Sequence, residues 1–311
     1  MQILVTGATG FVGKRVAEWA DLNGHTSKKQ ARHWTTEDKR LVSMELSTTS
    51  NWEEALCGVD CVVHCAALVH QPGVTALSDY EAINVAGTLR LAEQASAAGV
   101  KRFIFLSSIK VNGESTKAGT AFTEQVLQPP EDPYGLSKYL AEQGLMEISE
   151  RTGLEVVIIR PPLVYGPDVK ANFLSMINWV KRGIPLPLGS INNARSLVYV
   201  GNLVDFIGMC MTHPKASGEV FVISDDEDLS VSKLLQSVAR CMNINSRVFP
   251  FPVSLITLVA KALGKEAISE RLAGNLQVDI TKAKQLLGWH PPHSVEQGLR
   301  ETVKNYQSKT R

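Results

Sequence analysis

The sequence predicts an α/β fold, a doubly wound parallel sheet followed by a smaller C-terminal α/β lobe. Three observations lead there. Short continuous apolar runs recur along the first half: "QILVTG" (2–7), "CVVHCAA" (61–67), "RFIFLSS" (102–108) and "EVVIIRPP" (155–162). Such runs suit strands buried on both faces of a parallel sheet. Amphipathic stretches alternate with them, and a glycine-rich turn follows the first run directly.

Taken in order, "KRVAEWADLNG", "YEAINVAGTLRLAEQASAAG" and "PYGLSKYLAEQGLMEISERTG" read as the crossover helices, each ending in a glycine that suits a helix stop. Strand–helix alternation implies right-handed crossovers. After about residue 165 the rhythm changes. "GPDVKANFLSMINWVKRGIPLPLGS" is a helix followed by a Pro/Gly-rich loop, and "FVISDDEDLSVSKLLQSVARCM" is a strand and a helix with Ser230 as N-cap. "ITKAKQLLGWHPPHSVEQGLRETVKNY" gives two helices around a Pro-Pro break. The expected division is 1–165, with a returning segment at about 196–225, against a lobe of 166–195 and 226–311. A cleft between them would lie beyond the carboxyl ends of the strands, where open α/β sheets bind ligands.

Bulk properties narrow the partners. With 311 residues and a formal charge of +1, nothing calls for nucleic acid or a membrane as partner, and a small molecule is the expected ligand. The N-terminus enters a strand at once, without the features of a signal peptide. "FPFPVSLITLVAKALG" is too short and too proline-broken to span a bilayer and reads as a core or lobe-packing helix. Cys57, Cys61, Cys65, Cys210 and Cys241 show no metal-knuckle spacing. No metal is expected; free thiols favour a cytoplasmic location.

In "VTGATGFVG", Gly7, Gly10 and Gly13 stand between the first strand and the first helix. Glycine allows a tight turn and close approach to a pyrophosphate, while the helix N-terminus presents free N–H groups. This strand–turn–helix context makes the domain a dinucleotide-binding Rossmann fold. A carboxylate is expected about twenty residues further on to hold the adenosine ribose. The segment "HTSKKQARHW" instead offers Lys28, Lys29 and Arg32. Cations suit a 2′-phosphate, so NADP is favoured over NAD. Glu45 is placed near the adenine edge.

"PYGLSKYLAEQ" sets Tyr134 four residues before Lys138, on one helix face. With the glycine loop, "FLSSIKVNG" and "YGLSK" in this order, the chain resembles the extended short-chain dehydrogenase/reductase family of the NAD-dependent epimerase/dehydratase type. "HCAA", "RPPLVYGP" and "RSLVYVGNLVDF" extend the likeness over nearly the whole length. The resemblance implies Tyr134 as acid/base, Lys138 lowering its pKa and holding the nicotinamide ribose, and Ser108 hydrogen-bonding the reacting oxygen, with Ser107 beside it. An ammonium near a phenol whose free pKa is about 10 stabilises the phenolate, and a serine donor suits a developing alkoxide. Cofactor contacts are expected from Gly7, Thr9, Gly10, Phe11, Val12, Gly13, Arg32, Glu45, Leu46, Ala66, Ala67, Tyr134, Lys138, Pro161 and Val164.

Relatives of this kind act on nucleotide-linked sugars. Sugar-nucleotide 4,6-dehydratases usually carry an Asp-Glu pair after the catalytic hydroxyl residue. Here Ile109 and Lys110 stand there, which disfavours dehydration. The favoured reading is an NAD(P)H-dependent 4-ketoreductase of a nucleotide-linked, UDP-type 6-deoxy-hexosamine for surface polysaccharide synthesis. The alternative is a nucleotide-sugar 4-epimerase with tightly bound NAD; a non-catalytic dinucleotide-binding protein ranks last. By resemblance, Asn172, Arg195 and Arg271 would meet the diphosphate, and Lys110, Asn112 and His70 the sugar. His64 reads as a core residue and Arg160 as structural. A homodimer through the Tyr134 helix is the family habit.

Overall fold

The computed structural model describes residues 1–35, 38–69, 76–262, 264 and 272–309. Seven strands form the main sheet, all parallel: β1 (Gln2–Thr6), β2 (Thr26–Ala31), β3 (Leu41–Ser43), β4 (Cys61–His64), β5 (Arg102–Leu106), β6 (Glu155–Arg160) and β9 (Glu219–Val222), in the order β3-β2-β1-β4-β5-β6-β9. The predicted doubly wound sheet is therefore present. Strand order reverses between β1 and β4, and the carboxyl ends of strands at such a switch point are where open α/β sheets bind ligands.

The alternation along each strand divides the core into two layers. Ile3, Val5, Val63, Ile104 and Val157 face α1 (Phe11–Leu22) and α7 (Val200–Thr212). Leu4, Val62, Phe103, Phe105 and Ile158 face α2 (Glu53–Leu56), α4 (Thr88–Ala97) and α5 (Pro133–Thr152). Continuous apolar runs are what two-sided burial requires. β2 is polar because its longer side chains have structural work. Lys28 caps the carbonyls of Glu54, Ala55 and Cys57 at the end of α2, Lys29 pairs with Asp21 at 2.7 Å, and Gln30 holds the glycine turn.

The predicted helix over "YEAINVAGTLRLAEQASAAG" is not uniform. A turn of α-helix, α3 (Leu77–Tyr80), widens into a π-helical segment at Glu81–Gly87 before α4 resumes. Asn84 sits in this widened turn.

β7 (Leu163–Tyr165) and β8 (Leu197–Tyr199) make a separate two-stranded parallel sheet. A third apolar cluster gathers α6 (Ala171–Lys181), α8 (Val231–Cys241) and the helix Val295–Lys309. Ser230 caps α8 as expected, accepting from the Lys233 amide at 3.1 Å. α9 (Val253–Ala262) packs on the lobe through Val253 and Ile256, as expected, while Leu255 and Leu258 on its other side point to solvent.

Candidate active site

The glycine turn is built so that nothing larger fits. Gly7 has φ 65°, and a Cβ there would lie 2.9 Å from the Ala66 backbone; a Cβ on Gly13 would lie 2.3 Å from the Gly7 carbonyl oxygen. The turn thus packs against the first residues after β4, Cys65 and Ala66; Ala66 and Ala67 are half-buried. Gln30 accepts from the Gly7 amide at 2.9 Å and donates to the Met44 carbonyl at 2.5 Å, tying the turn to the ends of β2 and β3. α1 begins at Phe11 and Val12 with neither a capping side chain nor an acid in its first turn. An uncapped helix N-terminus beside backbone-only residues, with Thr9 and Gly10 exposed, fits a pyrophosphate. Arg32, directly after β2, and Glu45, after β3, are exposed at this same edge, and Leu46 packs beside Gly87 of the π-helical segment.

His64 closes the floor. Its Nδ1 lies 2.7 Å from Thr6 Oγ1 and its Nε2 2.9 Å from Thr88 Oγ1. Thr6 Oγ1 also accepts from the Ala66 amide at 3.2 Å. Burial lowers the imidazole pKa to about 3, so His64 is a neutral strut.

Tyr134 and Lys138 stand on α5, and Ser108 on the chain leaving β5, which is packed against the start of that helix. α5 starts on Asp132, whose carboxylate accepts from the Gly135 amide at 2.8 Å, with Pro133 in the first turn. Gly135 is required by packing: a Cβ there would sit 2.8 Å from the Lys110 carbonyl oxygen. The helix start is thereby pressed onto the 3-10 turn Ile109–Val111, which Ser108 caps. Lys138 donates to the Leu106 carbonyl at 2.9 Å and stands 4.4 Å above the Phe105 ring. Ser107 and Ser108 are distinguished by their partners. Ser107 is buried and gives its proton to Glu142 at 2.5 Å. Ser108 is half-buried and accepts from the Lys110 amide at 3.3 Å, so its own hydrogen remains available as a donor.

The electrostatics differ from the expectation for the phenol. In the ligand-free chain Tyr134 is pushed up to about 12 by burial, then by Asp132 and by Tyr80, whose ring centroid is 6.1 Å away. Lys138 is lowered to about 8 by burial, against the opposing pull of Cys65 and Glu142. No depression of the phenol by the ammonium is present at this stage. A stronger positive field, such as a nicotinamide cation provides, is needed before Tyr134 can act as a base near neutrality.

Two structural groups support the site, and of their members only Arg160 was read as structural from the sequence. Asn84 accepts from the Leu68 amide at 2.7 Å and donates to the Leu68 carbonyl at 3.0 Å and to Ser137 at 3.1 Å. It ties the chain leaving β4 to α5; a lone amide in an apolar helical run was its only sequence signal. Glu142 and Arg160 form a buried pair at 2.5 Å. Arg160 continues to Asn112 Oδ1 at 3.2 Å, and the Asn112 amide donates to the Thr123 and Gln125 carbonyls at 2.8 and 3.1 Å. Asn112, expected at the sugar, instead braces the 123–125 loop.

Lys110 lies beside α5, paired with Glu114 and Asp132 at 3.0 and 3.1 Å. Pro161 is buried and accepts from the Ile109 amide at 3.0 Å, while Val164 is half-buried in β7. Asn172 is exposed in the first turn of α6. Arg195 bridges to the Gly274 carbonyl at 3.1 Å. Arg271 and His70 fall outside the described residues.

Comparison with known proteins agrees with this geometry. Residues 3–224 match the model of the NAD dependent epimerase/dehydratase family. UDP-glucose 4-epimerase of Vibrio cholerae is 43% identical over 98% of this chain and 95% of its own. The N-acetyl-α-D-glucosaminyl-diphospho-ditrans,octacis-undecaprenol 4-epimerase of Escherichia coli O157:H7 is 31% identical over 97% and 94%. The solved structure of UDP-glucose 4-epimerase from Thermotoga maritima with UDP-glucose superposes with a TM-score of 0.79 at 25% identity, each chain covered in full (100%). A backbone-only glycine turn between β1 and α1, Tyr134 and Lys138 on the helix packed at the end of β5, and this sequence kinship lead to one assignment: the chain belongs to the NAD-dependent epimerase/dehydratase family of extended short-chain dehydrogenases/reductases.

Proposed function

We propose that the protein is a nucleotide-sugar 4-epimerase that interconverts UDP-linked hexoses differing at C4 and retains NAD. The observation that carries this reading is the 43% identity, end to end, with a UDP-glucose 4-epimerase. The reductase reading favoured by the sequence has weaker support, because its cationic cofactor pocket dissolves on inspection. Lys28 is spent on the end of α2 and Lys29 on Asp21, leaving Arg32 alone to argue for a 2′-phosphate.

The chain's own residues supply the proton chemistry. Tyr134, once deprotonated, takes the proton of the sugar 4-OH and later returns it. Ser108 donates to the same oxygen and so stabilises charge that develops there. Lys138, fixed to Leu106, keeps a positive charge beneath the site. The glycine turn, α1, Ala66, Ala67, Pro161 and Val164 would hold NAD, which when bound would supply reversible hydride acceptance. Asn172, Arg195 and Arg271 are assigned to the diphosphate, an arginine fork suiting its oxygens, and Lys110 to the sugar end.

The test is incubation of the purified protein with UDP-galactose and no added cofactor, followed by chromatography for UDP-glucose. Nucleotide released on denaturation is identified in parallel. Interconversion with NAD released supports the epimerase. Absence of interconversion, together with oxidation of added NADPH by a UDP-4-keto-6-deoxyhexosamine, would replace it with the reductase.

A further inference from the structure

The net charge of +1 averages over an uneven distribution. No Asp or Glu occurs from Val169 to Val204, a span holding Lys170, Lys181, Arg182 and Arg195. None occurs from Leu229 to Lys265 either, where Lys233, Arg240, Arg247, Lys261 and Lys265 stand. The fold brings these two acid-free spans together. The Leu186 amide donates to the Arg247 carbonyl, the Phe249 amide to the Leu186 carbonyl and the Gly189 amide to the Phe249 carbonyl, and a Cβ on Gly183 would touch the Arg247 side chain at 3.6 Å. α9 follows directly after Pro252, its first turn bonded back to the Pro252 carbonyl.

The same face is apolar. Leu258 is 63% exposed, Leu255 45%, Phe249 41% and Ile184, in the loop after α6, 39%. Leu255 and Leu258 share one face of α9 at i and i+3, opposite the Val253 and Ile256 side that seals the lobe. Arg182 and Arg247 are both exposed, and among the described residues neither forms an ion pair. An exposed apolar helix face on a lobe that also presents unneutralised arginines, with no helix both long and apolar enough to span among the described residues, is the composition of an interfacial anchor rather than a spanning one.

We propose that this face of the lobe docks onto an anionic lipid bilayer, with Leu255, Leu258, Phe249 and Ile184 entering the interface and Arg182 and Arg247 meeting lipid phosphates. Charge complementarity selects the bilayer over a second copy of the chain. A two-fold pairing through this face would set the arginines of one copy against those of the other.

The full chain would be sedimented with vesicles of phosphatidylcholine alone and of phosphatidylcholine with one-third phosphatidylglycerol. Binding is expected only to the anionic vesicles and should weaken with salt. At roughly fivefold per arginine near such a surface, the double variant Arg182→Glu/Arg247→Glu should bind at least roughly twentyfold more weakly. Leu255→Ser/Leu258→Ser should also release the protein, while circular dichroism and bound nucleotide stay unchanged. Equal binding to both vesicle types, no binding to either, or variants that bind like the parent would overturn the proposal. So would a concentration-dependent dimer, seen by sedimentation, that the leucine variant abolishes.

Discussion

The Lys138 ammonium donates to the carbonyl oxygen of Leu106 at 2.9 Å, anchoring a charge on α5 to the end of β5. That bond fixes the lysine relative to Ser108, two residues beyond Leu106, before any ligand arrives. It also holds a cation in a place with little water, and burial lowers its pKa from 10.5 to about 8. The site therefore stores an electrostatic cost that ligand binding can relieve.

This cost predicts a stabilising but inactivating substitution. The folded-state pKa of Lys138 lies below its unfolded value, so the unfolded chain binds the proton more tightly. The penalty is fully present below pH 8 and fades as pH rises toward 10.5. It amounts to at most roughly 3 kcal/mol. Lys138→Met should raise the ligand-free melting temperature at pH 7, by about 1–3 kcal/mol of stability, with the gain shrinking toward pH 10. Turnover should be lost. Thermal melts of both proteins from pH 7 to 10 check it, and a variant that melts lower at pH 7 would refute the stored cost.

Tyr134→Phe should retain bound nucleotide yet lose activity by about 10²–10⁴-fold, the usual worth of a positioned acid/base. Because Tyr134 is not seen to hold any structural hydrogen bond through its hydroxyl among the described residues, its melting temperature should change little. Activity at parental level would remove Tyr134 from the chemistry.

His64 gives a prediction at the acid end. Its folded pKa, about 3, lies below the ordinary 6.5. The unfolded state gains protons first as pH falls, so stability is lost from about pH 6.5 downward. Between pH 6.5 and 5 the loss is about 2 kcal/mol. His64→Gln should be less stable at pH 7, where its Thr6 and Thr88 contacts are disturbed, but its stability should depend less on pH over that interval. Urea unfolding at pH 5, 6 and 7 measures both slopes.

The sheet, the glycine turn and the Ser–Tyr–Lys set were legible because each depends on local pattern: two-sided burial, backbone room and helical spacing. The supports were not, because they depend on partners far apart in sequence. Asn84 reaches Ser137 from a π-helical turn that no periodicity announces. Lys28 and Lys29 looked like cofactor ligands because sequence shows a charge but not the carbonyls and carboxylate that absorb it. The carbonyls that Asn112 holds were hidden from the sequence for the same reason. α9 was read as packed because its composition is apolar throughout; only the fold separates Val253 and Ile256 from Leu255 and Leu258. Asn84→Ala would strand the Leu68 amide and carbonyl and should cost about 1–3 kcal/mol, visible as a lower melting temperature.

Glu142 and Arg160 permit a test of how the catalytic turn is held. Glu142 is 1% exposed and Arg160 3%, and the pair is joined by Ser107 on one side and Asn112 on the other. Removing one partner leaves the other charge buried. Glu142→Gln should therefore lose about 3–5 kcal/mol, since Arg160 keeps only neutral acceptors at Asn112 and the Glu124 carbonyl. The double variant Glu142→Gln/Arg160→Met removes both charges and should recover most of that stability, because a buried pair is often no better than apolar packing. Activity should separate from stability in this cycle. The double variant still lacks the arginine that fixes Asn112 and, through it, the turn carrying Ser108, so it should fold well and turn over slowly. Chemical denaturation and kcat measured on all four proteins resolve the two effects. Full activity in the stable double variant would show that Ser108 is positioned by α5 packing alone.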